Sequence, residues 1–328
     1  MPGIIFHYFH DYKDYFPSQG SMDSVSFEKI ICYLLNHYTI LSIEEYIAKC
    51  KKGTLKSNEV CLTFDDGIKS QYIIAEPILR KYNIKAGFFV YTEPWDGTLS
   101  ALEVHHDFRF SCYGDVLDFY NEFFRLLSRN REIYTPVIEK RIKEFKYEDY
   151  KPYCTWHTYE DKLFRFTRSI LLKKEEYNYL IEQMMEKKGY NPQKRKDILW
   201  MKEKEIIDLE SQGHLIGLHS HTHPTSFDNM SFQNIYDEFK INYDMLKSVL
   251  TGNPIAVAYP CGNYDSQIEG IMSQIGITVG FKATPGIEKG LLDLPRINHT
   301  EVLKTIGGIC NGNWAEDECY GYFLPLLS

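Results

Sequence analysis

The chain reads as an α/β protein built on a parallel sheet, open or closed into a barrel, and three observations predict it. Short apolar runs bounded by Gly, Pro or Asp recur along most of the sequence. Helix-period patterns lie between them, the alternation that parallel strands require. Carboxylates and histidines fall directly after several of the apolar runs, where parallel sheets present their chemistry.

In chain order, residues 3–7 form the first strand, apolar throughout as a strand covered on both faces must be. A helix over 26–35 follows a Ser cap and places Phe27, Ile30, Ile31, Leu34 and Leu35 on one stripe. Residues 59–64 give the next strand, 69–82 a helix and 86–91 a third strand. The rhythm then stops. From 93 to 199 no strand pattern appears, and 115–127, 134–145, 159–172 and 174–188 read as helices rich in Glu, Lys, Tyr and Phe. This predicts a helical insertion at 93–199, a lid or recognition element, on a barrel made by 1–92 and 200–328. The alternation resumes with a helix at 202–212, a strand at 214–218, a helix at 231–250, a strand at 254–259, a helix at 265–274 and a strand at 277–281. There is no internal repeat and no low-complexity stretch.

The 328 residues are 44% hydrophobic and 25% charged, enough for a sizeable core. A formal net charge of -8 argues against nucleic acid as a partner. The N-terminus has neither the basic nor the apolar region of a signal peptide, and no run reaches the length of a membrane span. Eight cysteines at 32, 50, 61, 112, 154, 261, 310 and 319 show no CxxC and no framework spacing. The expectation is a cytoplasmic protein with free, buried thiols.

Four segments carry the chemistry. Thr63-Phe64-Asp65-Asp66-Gly67 ends a strand with adjacent carboxylates. Neighbours there project differently, so one can bind a metal while the other stays clear as a base; alone, Asp-Asp-Gly is also ordinary turn chemistry. His219-Ser220-His221-Thr222-His223-Pro224 puts His219 and His223 on one side of a turn, able to reach one divalent ion, with His221 turned to substrate or solvent. In Val257-Ala258-Tyr259-Pro260-Cys261-Gly262, a backbone N–H after the proline can face an oxyanion. In Asp293-Leu294-Pro295-Arg296-Ile297-Asn298-His299, Arg296 can grip Asp65 through a bidentate pair.

Together these segments resemble the polysaccharide deacetylases of carbohydrate esterase family 4, the NodB-homology group. The resemblance covers 1–92 and 200–300 and leaves the insertion outside. It implies a distorted (β/α)7 barrel and a metal-dependent hydrolase that removes an N-acetyl or other acyl group from an amino sugar or glycan intermediate, as in surface-polysaccharide biosynthesis. By the same resemblance Asp65 is the base, and Asp66, His219 and His223 hold a divalent metal, Zn²⁺ first. Two positions depart from the family pattern: Ala258 stands where an arginine is usual and Cys261 where a tyrosine is usual. Leu294-Pro295-Arg296-Ile297 is similar to a subgroup segment, so Arg296 takes the arginine's place. The usual Leu-x-His acid is absent, and Phe6-His7 is similar to the subgroup's Tyr-His, so His7 is the acid, with His10 and His299 behind it. The Cys261 N–H would serve the oxyanion, and Tyr259, His10, His221 and His299 would contact substrate. The implied partners are an acylated amino sugar, a nucleotide-linked sugar or an oligosaccharide. A non-catalytic carbohydrate-binding relic of the barrel and a metal-dependent amidase of a non-sugar small molecule are the alternatives.

Overall fold

The computed structural model describes residues 2–150, 158–228, 230–286 and 290–305. These fall into two compact units, one containing 2–100 and 197–305 and the other 101–196. Among the described residues the first unit has nine strands: β1 (Gly3–Phe6), β2 (Thr39–Ile40), β3 (Glu59–Val60), β4 (Leu62–Phe64), β5 (Gly87–Val90), β6 (Leu215–Leu218), β7 (Ala256–Ala258), β8 (Val279–Phe281) and β9 (Arg296–Asn298). Seven form one parallel sheet in the order β8-β7-β6-β5-β4-β1-β9.

The two edges of that sheet nearly meet. The Lys282 N–H, just past β8, donates to the Leu294 carbonyl at 2.9 Å, and the Leu294 N–H donates to the Gly280 carbonyl at 2.8 Å. The chain then runs straight into β9. This is the seven-stranded barrel expected from the sequence.

Alternation along the strands explains the continuous apolar runs. Phe64, Phe88, Ile216, Leu218 and Val257 join the larger core beneath the helices. Their neighbours Cys61, Phe89, Leu215, Ala256 and Ala258 pack with Val279 and Phe281 on the opposite face, inside the barrel. Small residues keep that interior narrow: a Cβ on Gly217 would lie 2.6 Å from the Phe89 ring. The helix Ile43–Lys52 closes one end, burying Ile43, Tyr46 and Ile47 against the inner cluster. A Ser42–Glu45 capping box starts it and left-handed Gly53 ends it. Outside, the helix Ser24–His37 buries Phe27, Ile30, Ile31 and Leu34, and Phe232–Val249 buries Ile235, Phe239, Asn242 and Leu246.

Several elements differ from the sequence expectation. The first helix begins two residues earlier than 26, because Asp23, not a serine, accepts the Ser26 N–H. The strand expected at 59–64 divides at Cys61, and Glu59–Val60 pair with Thr39–Ile40 in a small separate sheet. The helix expected at 69–82 opens as a π-turn, Gln71–Ala75, before Glu76–Lys81. Pro77 lacks the N–H that a regular turn would use there. Strands β2 and β9 and the helices Ile43–Lys52 and Ala101–Cys112 were not expected.

All the strands lie in the first unit; the described part of the second is helical, with Ala101–Cys112, Val116–Arg129, Pro136–Lys143, Tyr159–Phe166 and Lys174–Lys188 as its main elements. No described helix is long and apolar enough to cross a membrane. The expected buried thiols are corrected. Of the described cysteines Cys61 alone is buried, Cys32 and Cys261 are exposed, and Cys50 and Cys112 are half-buried. Cys154, Cys310 and Cys319 lie outside the described residues.

His214 sits at the entry to β6, 3% exposed, and its Nδ1 accepts the Ala86 N–H at 3.0 Å. Burial first, then Lys85, pushes its pKa down to about 4. The folded form therefore resists a proton that the unfolded chain accepts near pH 6.5. Its stabilising effect is complete above that pH and disappears as the pH falls through about 4. Thermal or urea unfolding from pH 7 to 4 should lose roughly 3 kcal/mol through this residue, a loss that shrinks in His214→Asn.

Candidate metal centre and active site

Thr63 and Asp65 share the inner face of β4 and its extension. There the Asp65 carboxylate, 2% exposed, meets Arg296, which is fully buried. Arg296 grips it with both ends of the fork, Nη1 to Oδ1 and Nη2 to Oδ2, each at 2.7 Å. Its Nε donates to the Lys282 carbonyl at 2.8 Å, and Nη1 also reaches Thr63 Oγ1 at 3.1 Å. The Phe89 and Phe281 rings flank the guanidinium at 5.7 and 5.9 Å. Burial acts to raise the Asp65 pKa, but Arg296 and the neighbouring histidines outweigh it and hold the carboxyl below its ordinary value. Asp65 is thus ionised at neutral pH.

Asp66 turns the other way. Its φ of 77° and that of Gly67, 64°, reverse the chain, and a Cβ on Gly67 would come 2.8 Å from Val90 Cγ1. The turn aims Asp66 Oδ1 at His219 Nε2 and His223 Nε2, 3.2 Å from each. One ligand atom from each of the three residues lies within 4.8 Å of the others. His219 Nδ1 lies 2.7 Å from the Ala258 carbonyl. Donation there places the Nε2 lone pair on the Asp66 side.

The donor set fits a divalent cation. Asp66 Oδ1 is buried without a hydrogen-bond partner, as is His223 Nδ1. Lone pairs from a carboxylate and two imidazoles converge on one small volume, an arrangement that repels itself without positive charge at its centre. The local field points the same way. Burial opposes charge on His219, yet Asp65 and Asp66 hold its pKa above the ordinary value. Burial likewise opposes charge on Asp66, and the two histidines bring it well below the usual carboxylate range.

The remaining candidates divide. His7 follows β1 at the same end of the barrel. Burial lowers its pKa while Asp66 and Asp65 pull it upward, which places it within their field. Cys261 is exposed in a turn with φ 54°. His221 Nδ1 lies 3.1 Å from Thr92 Oγ1. His10 is buried in the loop after β1, its Nδ1 2.8 Å from Ser21 Oγ and its ring edge-on to Tyr12. Two expected substrate contacts are corrected. Tyr259 is fully buried and donates its hydroxyl to the Leu292 carbonyl at 2.8 Å, because its side chain points to the outer core. His299 is buried with Nδ1 3.2 Å from the Ile5 carbonyl and Nε2 2.9 Å from that of Gly20, and it stacks on Phe6. Burial first, then His7, pushes its pKa to about 4. It ties β1 to the following loop.

Three supports escaped sequence reasoning. Gln71, fully buried, donates to the carbonyls of His7 at 2.9 Å and Asp65 at 2.6 Å, fixing the ends of β1 and β4 together. Asn242, also fully buried, accepts the His219 N–H at 3.0 Å and donates to the Val90 carbonyl and Thr92 Oγ1. Glu238 receives the N–H groups of His221 and Thr222. The signal available for Asn242 was a polar residue on the apolar stripe of a helix, among Ile235, Phe239 and Leu246.

The family model for polysaccharide deacetylase matches residues 52–107 and 170–280, slightly more than half of the chain. Asp65, Asp66, His219, His223 and Cys261 lie inside the matched segments, and His7 and Arg296 lie outside. No curated protein matches in sequence. Similar solved structures include the Streptococcus pyogenes deacetylase PplD in complex with acetate, at 19% identity over 91% of this chain and 91% of that one, TM-score 0.53. A de-N-acetylase from Aggregatibacter actinomycetemcomitans is 13% identical over 90% of this chain and 93% of that one, TM-score 0.52. IcaB from Ammonifex degensii is 15% identical over 90% and 91%, TM-score 0.52. At these identities the likeness is one of fold.

Removing Arg296 leaves Asp65 charged and alone in the barrel. Arg296→Met should cost roughly 3–5 kcal/mol in denaturant unfolding, and adding Asp65→Leu should recover much of it. Asn242→Leu frees the His219 backbone from its acceptor. It should weaken any divalent-ion binding at Asp66, His219 and His223 about tenfold or more, read by competition with a chromophoric chelator.

Proposed function

This chain belongs to the polysaccharide deacetylase family, and we propose that it is a metal-dependent hydrolase that removes an N-acetyl group from an amino sugar in a glycan or nucleotide-linked intermediate. The observation that carries this reading is the convergence of Asp66 Oδ1, His219 Nε2 and His223 Nε2 beside a separately held, ionised Asp65. The acetate found with PplD is the product such a reaction would release. We place the activity in cytoplasmic assembly of a surface polysaccharide.

Asp66, His219 and His223 would hold the ion, Zn²⁺ first by its preference for mixed imidazole and carboxylate ligands. When bound, it would polarise the acyl carbonyl and make a water more acidic. The chain's own groups do the rest. Asp65 spends one lone pair of each oxygen on Arg296 and retains others to receive the proton of the attacking water. Because the fork fixes both oxygens, the base does not reorient as charge moves through it. The tetrahedral oxyanion takes the Cys261 N–H, offered by a left-handed turn just after Pro260. His7 gives a proton to the departing nitrogen. It acts in its protonated form, which burial disfavours and the neighbouring Asp66 and Asp65 favour.

The test is acetate release from N-acetylated amino-sugar oligosaccharides by purified, zinc-loaded protein. Asp65→Asn should retain zinc and lose turnover, whereas His219→Ala should lose both. His7→Ala should slow turnover by roughly 10²–10⁴-fold with zinc still bound. Zinc-loaded wild type that releases acetate from none of these substrates, or an Asp65→Asn variant of near-normal rate, ends this reading.

A further inference from the structure

The unit formed by residues 101–196 holds a charge arrangement that deacylation does not use. Arg109, on the helix Ala101–Cys112, is 6% exposed. Its Nε is buried without a hydrogen-bond partner, and no described residue makes an ion pair with its guanidinium. The group lies against aromatic rings instead, 4.9 Å from the Phe119 centroid and 4.7 Å from that of Phe164. A second guanidinium, Arg168, stands 6.0 Å from the same Phe164 ring. Its Nε makes a long bond of 3.3 Å to Ser169 Oγ.

The nearby carboxylate is committed elsewhere. Asp161, fully buried, accepts from the Tyr120 hydroxyl at 2.6 Å and from Arg165 Nε at 2.9 Å. Ring faces stabilise a desolvated cation, but they offer no acceptor in the plane of the guanidinium, where its N–H groups point. A buried cation with open donors is costly as an end in itself.

We infer that Arg109 and Arg168 form a site for a phosphoryl-type oxyanion. Such a group has oxygens enough to take N–H donors from both guanidiniums while the ring contacts stay in place. A single carboxylate would match one fork and leave the other open. The electrostatics agree: burial depresses the Arg168 pKa, Tyr177 opposes this, and Arg109 adds to it. His105 is pushed to about 3 by burial and then by the two arginines, so it brings no charge that competes for the anion. A phosphorylated or diphosphate-linked sugar and a phosphodiester-bearing glycan both present this chemistry.

The experiment titrates inorganic phosphate and pyrophosphate into the full-length protein and follows thermal unfolding, with chloride at matched ionic strength as the control. A chelator is present throughout, so that no metal at Asp66, His219 and His223 can gather the anion. A saturable rise in Tm is expected. Arg109→Met and Arg168→Met should each weaken the apparent affinity at least tenfold. Without phosphate, Arg109→Met should be no less stable than wild type, since it removes an unmatched charge and keeps the packing. UDP and a glycerophosphodiester, compared as competitors, separate the two sources, and displacement by either supports the site. No rise beyond the chloride control, or an equal rise in both variants, overturns it. So does an Arg109→Met protein that is destabilised yet keeps its full phosphate response, which would make Arg109 an aromatic clamp and nothing more.

Discussion

A fully charged guanidinium at zero exposure inside a narrow barrel constrains everything around it. Arg296 cannot shed its proton to escape burial, so each of its donors needs an acceptor. The chain supplies them from three directions: Asp65 at the end of β4, Thr63 within it, and the Lys282 carbonyl beyond β8. Arg296 itself stands on the edge strand β9, Lys282 lies just past the opposite edge strand β8, and Asp65 and Thr63 belong to β4 and its extension, inside the sheet. The same guanidinium that stations the base therefore also bridges the barrel seam, through its Nε. The glycines and alanines of the inner face follow from it, since Phe89, Phe281 and the arginine must share one interior.

Once Asp65 points inward, its neighbour must leave the strand to face another direction, and backbone strain collects there. Six non-glycine residues among those described have left-handed φ, and four of them, Asp66, Ser220, His223 and Cys261, stand at the site. Each such residue costs of order 1 kcal/mol, and each persists because other contacts over-determine it. Ser220 Oγ accepts the His223 N–H, Glu238 holds the two backbone N–H groups between them, and Asn242 fixes His219 from below. The geometry of the candidate metal centre is thus built from backbone turns held by Ser220 and by two side chains of the helix Phe232–Val249, Glu238 and the buried Asn242.

This division explains what the sequence discloses. Asp65, Asp66, His219 and His223 were legible because their chemistry needs particular residue types directly after strands, and strands announce themselves by apolar runs. Arg296 was legible through Leu294-Pro295-Arg296-Ile297, which resembles a subgroup segment of the family, and through the fit of its fork to a carboxylate. Gln71 and Asn242 were not. Each is a single amide on a helical stripe, and local sequence does not say which loop a helix will reach across. Tyr259 failed for a related reason: strand parity, not proximity to the motif, sends its ring to the outer core. Strand β9 was missed because its three residues carry an arginine and an asparagine, and only barrel closure makes them a strand. Cys61 ended a run that looked continuous because the switch from one sheet to another leaves no mark in hydropathy.

Both units pair buried arginines with carboxylates, and the exceptions have physical content. In the barrel, Arg296 has a carboxylate on both ends of its fork. In the helical unit, Arg195 is held by both oxygens of Asp107, and Arg165 by Asp161. Both of these side chains are also more exposed than Arg109. The most deeply buried of these three, Arg109, has no acid among the described residues, and neither has Arg168 against the same Phe164 ring. If aromatic packing were the whole purpose of Arg109, a methionine or leucine would fill the space between Phe119 and Phe164 with no charge to desolvate. A chain that matches Arg296, Arg195 and Arg165 and leaves Arg109 and Arg168 open has reserved these donors for an acceptor that arrives from outside.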